Sequence, residues 1–473
     1  MKKYAIYTLG CKVNQYESQQ IGQALEQLGL AAADRHDCPD ILIVNTCCVT
    51  QNASAKSRQN IRKLLAAWPH AQVFATGCLP VGQEHELADL DRIIIAKDKN
   101  QLPAIITRFL TENAHRTPTI LCSKPLNACK IKNKNEGDPQ KRLLEDSILE
   151  ELNDSQAAIV NKLHPDAIQS DSRSLPLLSR YSGQCRAFLK VQDGCDAYCT
   201  YCIIPKIRTN VCSKPAADVL TEARRLVEAG HKEIILTGIF LGAYGQETAR
   251  RRRWNGQKTD CLADLVDQVA GVEGLERLRL SSLEPLDVTD RLLEVMTSHR
   301  NIAPHLHLAL QAGSANVLRK MARQYSVDDF RRVIEKIRKA FDRPAITTDI
   351  IVGFPGEREQ DFEETLQVSK ESAFTKIHVF PFSVRKGTPA VRMAKLFGRV
   401  SAQEIRRRAE AMHTLDAQLQ TEFRAACRGL EERVLVETLN PPEGLCGRYF
   451  TVNLSHLPQA NQLVRGQVVS VEI

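Results

Sequence analysis

Val191-Gln192-Asp193-Gly194-Cys195-Asp196-Ala197-Tyr198-Cys199-Thr200-Tyr201-Cys202-Ile203-Ile204-Pro205 sets three cysteines in a CxxxCxxC spacing behind a short apolar run, Phe188–Val191. The run is the right length for a buried strand, and Gly194 permits the sharp turn that follows it. Three thiolates on one tight loop can hold three corners of a cubane iron–sulfur cluster, leaving the fourth iron without a protein ligand. Structural zinc usually takes four Cys or His ligands, commonly in CxxC pairs, so a zinc knuckle fits the spacing poorly. An open iron is a place for a substrate, and that points to catalysis. Tyr198 and Tyr201 stand between the cysteines as candidate shields for the cluster.

Composition agrees with an intracellular redox enzyme. The 473 residues suggest about three domains, and 43% hydrophobic content is enough for real cores. No stretch approaches the ~18 apolar residues of a membrane span. The opening Met1-Lys2-Lys3-Tyr4-Ala5-Ile6-Tyr7 runs into a strand and lacks the apolar core of a signal peptide. Fifteen cysteines without an export signal argue for metal ligation rather than disulfides, and for a cytoplasmic protein without membrane partners. The formal charge of +8 fits a polyanionic partner.

A second cysteine set lies in the first hundred residues. Cys11 follows the strand expected at 5–9, Cys47 the strand at 41–44, and Cys78 the strand at 72–75, with helical patterns at 18–28 and 53–67 between them. In an open parallel α/β sheet, the loops beyond the strand C-termini converge on one crevice. All three cysteines sit on such loops, the arrangement for a second three-cysteine cluster; buried structural thiols are the plainer alternative. From the residues alone, Cys47 cannot be told from Cys48.

The CxxxCxxC loop with an aromatic before its last cysteine resembles the radical S-adenosylmethionine superfamily. Together with Leu9-Gly10-Cys11-Lys12-Val13-Asn14-Gln15-Tyr16-Glu17-Ser18, Asn45-Thr46-Cys47 and Thr76-Gly77-Cys78, it resembles the methylthiotransferase family over nearly the whole chain outside 113–180. The Lys-Val-Asn opening is most similar to the bacterial branch that modifies N6-threonylcarbamoyladenosine beside the tRNA anticodon. The resemblance selects Cys47 over Cys48. It implies two 4Fe–4S clusters, on Cys195/Cys199/Cys202 and on Cys11/Cys47/Cys78, with S-adenosylmethionine as cofactor. It further implies that the first cluster generates a 5′-deoxyadenosyl radical that takes hydrogen from adenine C2. The second would carry the sulfur, methylated by another S-adenosylmethionine before transfer. The implied partners are a tRNA carrying threonylcarbamoyladenosine and a flavodoxin- or ferredoxin-like electron donor.

Between the cluster loop and residue 400, strand-like runs alternate with helical ones, implying parallel strands with crossovers and a βα barrel with functional side chains at strand ends. The resemblance makes this a partial barrel along which the cofactor lies. Gly238, Gly313 and Gly353 would let backbone approach it. Glu284, Gln311 and Asp349 are candidates for its amino group, ribose or adenine, though each suits an ordinary strand-end cap equally well. His305 and His307 are expected to divide, one facing inward and the other a satisfied core histidine.

A long charged helix is expected over 400–428, containing Arg406-Arg407-Arg408, followed by short strands at 432–438, 448–453 and 467–472. Pro441-Pro442 and Gly444 read as turn residues between them. This small β barrel resembles the family's RNA-binding TRAM domain; a capping or dimerisation module is the alternative. Arg250-Arg251-Arg252-Arg253-Trp254 is either an RNA contact or a solvated loop. The fold class is thus α/β, with an open parallel domain at 1–112, an atypical linker or insertion at 113–180, the barrel at 181–410, and a helix plus TRAM-like β domain at 411–473. Within the linker, Cys122, Cys129, Lys130–Lys134 and a Leu-patterned helix at 143–163 suggest partial disorder or an added subdomain. Ile204–Lys214, Phe240 and Ala312 depart from the family pattern. Rival readings are a related base or a protein side chain as methylthio acceptor, or an inactive iron–sulfur RNA-binding protein.

Overall fold

The run Ile41-Leu42-Ile43-Val44 has no polar alternation, as expected of a strand covered on both faces, and every residue of the strand containing it is buried. The computed structural model describes residues 2–34, 37–87, 90, 92–113, 175–254, 256 and 260–473. The Cys122, Cys129, Lys130–Lys134 and 143–163 features lie outside them. The chain divides into two units, residues 1–48 with 52–184, and 49–51 with 185–473.

In the first unit, β1 (Lys3–Thr8), β2 (Ala31–Ala32), β3 (Ile41–Thr46), β4 (Gln72–Gly77) and β5 (Ile93–Ile95) form a five-stranded sheet in the order β2-β1-β3-β4-β5. All its pairings are parallel. Tyr4, Ile21, Leu25, Ile41, Ile43, Phe74 and Ile106 pack one face of it. The first helix begins at Lys12, directly after Cys11, rather than at residue 18. Buried polar residues Asn14, Glu17 and Ser18 interrupt its apolar pattern there. Residues 175–184 belong to this unit too. Gln20 and Gln23 of the first helix donate to Pro176 O and Leu177 O, each at 2.8 Å.

In the second unit, β6 (Arg186–Asp193), β8 (Glu233–Gly238) and β9 (Arg277–Leu280) run parallel, with β7 (Cys212–Ser213) antiparallel on β6. A second parallel sheet has β10 (Ser282–Leu283), β11 (His305–Leu308), β12 (Ala345–Val352) and β13 (Lys376–Pro381) in that order. A parallel bridge joins Leu278 of β9 to Ile302, in the segment that leads into β11. Helices alternate with the strands, making the expected partial barrel. Among them, Val327–Ala340 opens with a reciprocal Ser326–Asp329 capping box.

The charged helix spans Ala402–Ala426, capped by Ser401, which accepts from Glu404 N at 3.1 Å. Beyond it, β14 (Glu431–Leu439), β15 (Pro442–Cys446), β16 (Thr451–Asn453) and β17 (Val468–Glu472) form the TRAM-like antiparallel sheet, ordered β16-β15-β14-β17. Pro442 and Gly444 lie in strand β15 rather than in a turn. Proline is tolerated at the first strand position, and at Gly444 a Cβ would overlap Leu435 O of the adjacent strand. Glu233, the first residue of β8, accepts from Arg277 Nε at 2.6 Å and Arg279 Nε at 3.0 Å. Those arginines in turn donate to Arg433 O, Leu445 O, Cys446 O and Gly447 O of the C-terminal sheet. The sheet is therefore docked at the strand starts, the end of the barrel opposite the cysteine loop.

Candidate active site

The cysteine loop begins where β6 ends, and its shape is dictated by Gly194. This residue has φ +77°, and a Cβ on it would overlap the carbonyl oxygen of Asn210. Cys195 N donates to Arg208 O at 3.0 Å, and Arg208 pairs with Asp193 at 2.9 Å. The departing segment after Cys202 thus braces the loop. Gln192 donates to Gly194 O at 2.8 Å and accepts from Phe240 N at 2.7 Å, tying the β6 loop to the β8 loop.

Cys195, Cys199 and Cys202 are free thiols. Burial pushes Cys195 and Cys202 up to about 12, with the neighbouring thiols adding to the rise. Cys199 is also raised by burial, against which the Arg323 guanidinium acts. Iron coordination opposes such shifts by holding the sulfur as thiolate. The tyrosines divide: Tyr201 is half-buried, its ring edge-on to Phe354 at 6.4 Å, whereas Tyr198 is 58% exposed beneath the Arg250 guanidinium.

Of the proposed cofactor contacts, Glu284 lies beside the cysteine loop through Arg323, which donates to its Oε1 at 2.7 Å. Its Oε2 is buried without a hydrogen-bond partner, as is Arg251 Nε, 3.7 Å away. Gln311 has φ +64° and bridges Ile350 of β12 through its backbone, accepting from Ile351 N at 2.9 Å. Asp349 faces His307 Nε2 at 3.3 Å. The glycines have packing reasons of their own: a Cβ would meet Gln192 at Gly238, Thr365 and Val368 at Gly313, and Ile405 at Gly353. His305 and His307 do not divide. Both bond the Thr347 hydroxyl, at 3.1 and 2.9 Å, because residues two apart on a strand share a face.

The arginine run is only half solvated. Arg250 bonds Asp196 O at 2.9 Å, and Asp196 also accepts from Thr248 and Ala249, fastening the run to the cysteine loop. Arg251 pairs with Asp287 and lies 4.4 Å from the Trp254 ring centre. Arg252 and Arg253 are exposed.

In the first unit, the order β2-β1-β3-β4-β5 reverses direction between β1 and β3, the switch point where doubly wound sheets bind ligands beyond their strand C-termini. Cys11 follows β1, Cys47 follows β3 and Cys78 follows β4. Gly10 has φ +108°, and a Cβ there would lie 3.1 Å from Cys47 Sγ, so the first two loops are in contact. Asn14 reinforces this by donating to Leu9 O at 2.8 Å and Thr46 O at 3.0 Å. Thr46 accepts from Leu79 N at 3.2 Å and donates to Thr76 O at 2.6 Å, bringing in the third loop. The adjacent cysteines differ: Cys48 donates its thiol to Cys78 O at 3.2 Å, while Cys47 faces Gly10. Among the described residues, no three His, Cys, Asp or Glu side chains already converge on a metal position.

Arg323 was not legible in advance. One arginine among 64 basic residues carries no spacing signal, and only the fold brings it to Cys199 Sγ, at 2.9 Å.

Residues 189–368 match the family model described as the Radical SAM superfamily, and residues 3–96 the one described as Uncharacterized protein family UPF0004. The chain is 33% identical over 397 residues to a threonylcarbamoyladenosine tRNA methylthiotransferase of Bacillus subtilis, covering 83% of this chain and 76% of that one. It is 29% identical over 481 residues to a tRNA-2-methylthio-N(6)-dimethylallyladenosine synthase of Desulforamulus reducens, covering 100% and 93%. Among solved structures, the radical S-adenosylmethionine methyltransferase TsrM from Kitasatospora setae superposes with a TM-score of 0.53 at 13% identity, over 84% of this chain and 78% of that one. At that identity the likeness speaks for the fold alone.

Proposed function

The chain belongs to the radical S-adenosylmethionine methylthiotransferase family, and on that premise we propose that it places a methylthio group on C2 of N6-threonylcarbamoyladenosine, 3′ of the tRNA anticodon. Membership brings two 4Fe–4S clusters and S-adenosylmethionine as cofactors. The chemistry they supply when bound is radical removal of hydrogen from adenine C2 and delivery of sulfur and methyl.

Cys195, Cys199 and Cys202 are the proposed ligands of one cluster, and Cys11, Cys47 and Cys78 of the other. The donor sets support this: each is three soft, non-disulfide sulfurs on loops held by buried hydrogen bonds. Glu284 Oε2 and Arg251 Nε, paired with each other at 3.7 Å but without hydrogen-bond partners, suit the ammonium and carboxylate of a methionine moiety beside the first set. In that reading Glu284 holds the ammonium, and Tyr201 with Phe354 keeps water from the open iron. Gly238, Gln311, Asp349 and Gly353 remain proposed contacts along the rest of the cofactor. Arg250 and Arg251 hold the strap beside the loop, leaving Arg252 and Arg253 for tRNA phosphates. The domain division at 1–112, 113–180, 181–410 and 411–473 follows the same assignment. A flavodoxin- or ferredoxin-like protein is the proposed reductant, and the cytoplasm the proposed location.

The observation that carries the base assignment is the Leu9–Ser18 opening, whose Asn14 ties the first two cysteine loops together through Leu9 O and Thr46 O. One observation favours a second reading: the dimethylallyladenosine synthase of Desulforamulus reducens aligns over 100% of the chain. Mass spectrometry of tRNA nucleosides from cells lacking their own methylthiotransferases, with and without this protein, decides between them. The methylthio group is expected on threonylcarbamoyladenosine. Its appearance on dimethylallyladenosine would keep the chemistry and overturn the base; no change with both clusters loaded would refute the tRNA activity.

A further inference from the structure

The geometry points to Arg323 as a positioning residue that sets the reduction potential of the barrel cluster by hydrogen-bonding a ligating sulfur; the inference rests on the assignment of Cys199 as a ligand. Arg323 Nη1 lies 2.9 Å from Cys199 Sγ and 3.2 Å from Tyr201 Oη, and Nη2 lies 2.7 Å from Glu284 Oε1. Nε donates to Tyr325 Oη at 3.1 Å, and that hydroxyl is fixed by Ala309 O and Leu310 O. The side chain is 6% exposed. Every nitrogen of the guanidinium therefore has a partner, and the two buried ones, Glu284 and Tyr325, hold the fork against the sulfur.

The backbone is committed to the same contact. Helix Ala315–Lys320 ends two residues before Ala322, which adopts φ +55°. That conformation is uncommon for a residue with a side chain, and it persists only where surroundings enforce it. Here Arg323 N returns to Leu318 O at 3.0 Å. Thr200, between Cys199 and Cys202, then grips the same turn twice, through N to Met321 O at 3.0 Å and Oγ1 to Lys320 O at 2.9 Å. The cysteine loop and the arginine are thus one rigid assembly.

A sulfur bonded to iron keeps lone pairs that accept an N–H. Reduction adds negative charge to the cluster, so a donor on its sulfur and a buried cation beside it stabilise the reduced form and raise the potential. Arg323 itself is buried, and a hydrogen bond made away from bulk water counts for more. Glu284 offsets part of the cation's charge, but the donor stays on the sulfur whether or not that carboxylate holds a ligand.

The test is a redox titration of the full-length protein, reconstituted with iron and sulfide and read by the electron paramagnetic resonance of the reduced cluster. Cys11, Cys47 and Cys78 are replaced by alanine so that only the barrel loop reports. At the midpoint of the parent protein, Arg323→Gln is expected to lower the ratio of reduced to oxidised cluster about tenfold, equivalent to about 59 mV for one electron. An unchanged midpoint overturns the proposal. If Arg323→Gln does not load iron, the parent protein grown on 15N-arginine decides. Pulsed resonance of the reduced cluster, without S-adenosylmethionine, is then expected to reveal a nitrogen coupling, and its absence overturns the proposal. Failure of the underlying ligand reading has a different signature, a Cys199→Ala protein that still loads the barrel cluster with an unaltered spectrum.

Discussion

What residue 194 can be is decided by one carbonyl. A side chain there would have to occupy the position of Asn210 O while the backbone stays at φ +77°. The conformation alone costs an L-residue about 1–2 kcal/mol, and the overlap forces the brace from Asn210 to move as well. Gly194→Ala is therefore expected to destabilise the protein by about 2 kcal/mol or more and to halve, at least, the iron held by the barrel loop. Thermal unfolding and iron content measure the two; a normal value of both would mean the loop does not need this geometry. At this scale legibility follows how chemistry is written in sequence. Three cysteines and a glycine in fifteen residues are a local pattern, so the loop could be read directly. Arg323 and Glu284 reach it from 124 and 85 positions away, Arg323 by a hydrogen bond to Cys199 and Glu284 by its bond to Arg323 and its charge beside the thiols. Their roles exist only once the strands have been ordered. The histidine pair failed for a simpler reason, since period two puts His305 and His307 on one face.

Single elements were readable where both faces are buried and unreadable where they are short. Strand β3 declares itself through Ile41–Val44, but β2 has two residues and β5 three, too few to show a period. Strand β15 was hidden by Pro442 and Gly444, which look like punctuation and are instead tolerated by position and demanded by close approach. The docking of the C-terminal sheet was invisible as well, because it rests on buried ion pairs between residues far apart in the chain, Glu233 with Arg277 and Arg279, and Arg186 with Glu437 at 2.7 Å. Burial pushes the Glu233 carboxyl up, but Arg277, Arg279 and Arg186 outweigh it and hold it at about 2, below its ordinary value of 4.5. A carboxyl depressed in this way contributes stability in full above pH 4.5, lost as pH falls towards 2, on the order of 3 kcal/mol in all. Glu233→Gln removes the charge and leaves buried arginines uncompensated, for which about 3–5 kcal/mol is usual. Limited proteolysis is expected to release the C-terminal sheet from this variant at neutral pH and from the parent protein only in acid. Equal resistance in both would show that the arginines hold the sheet without Glu233.

On the scale of the whole molecule, a formal charge of +8 gives attraction to a polyanion but no address. The structure narrows the address by subtraction, since Arg250 and Arg251 are spent on Asp196 and Asp287 while Arg252 and Arg253 face solvent. Replacing those two by alanine is expected to weaken tRNA binding and reduce its salt slope by about 2, with cofactor cleavage in the absence of RNA unchanged. Titration of labelled tRNA at several salt concentrations measures this, and an unaltered slope would clear the strap of phosphate contact. The cysteines divide along the chain in a parallel way, one trio in each unit. If the trio at Cys195, Cys199 and Cys202 cleaves S-adenosylmethionine and the trio at Cys11, Cys47 and Cys78 supplies sulfur, the two activities must come apart. Cys199→Ala is then expected to yield neither 5′-deoxyadenosine nor methylthiolated nucleoside. Cys78→Ala, by contrast, is expected to keep forming 5′-deoxyadenosine while product falls to background. The contrast is informative because a merely unfolded variant would lose both, and a shared cluster would make the two variants alike. Full product from Cys78→Ala would dissolve the second trio, and the family's two-cluster chemistry would then have to find its sulfur elsewhere in this chain.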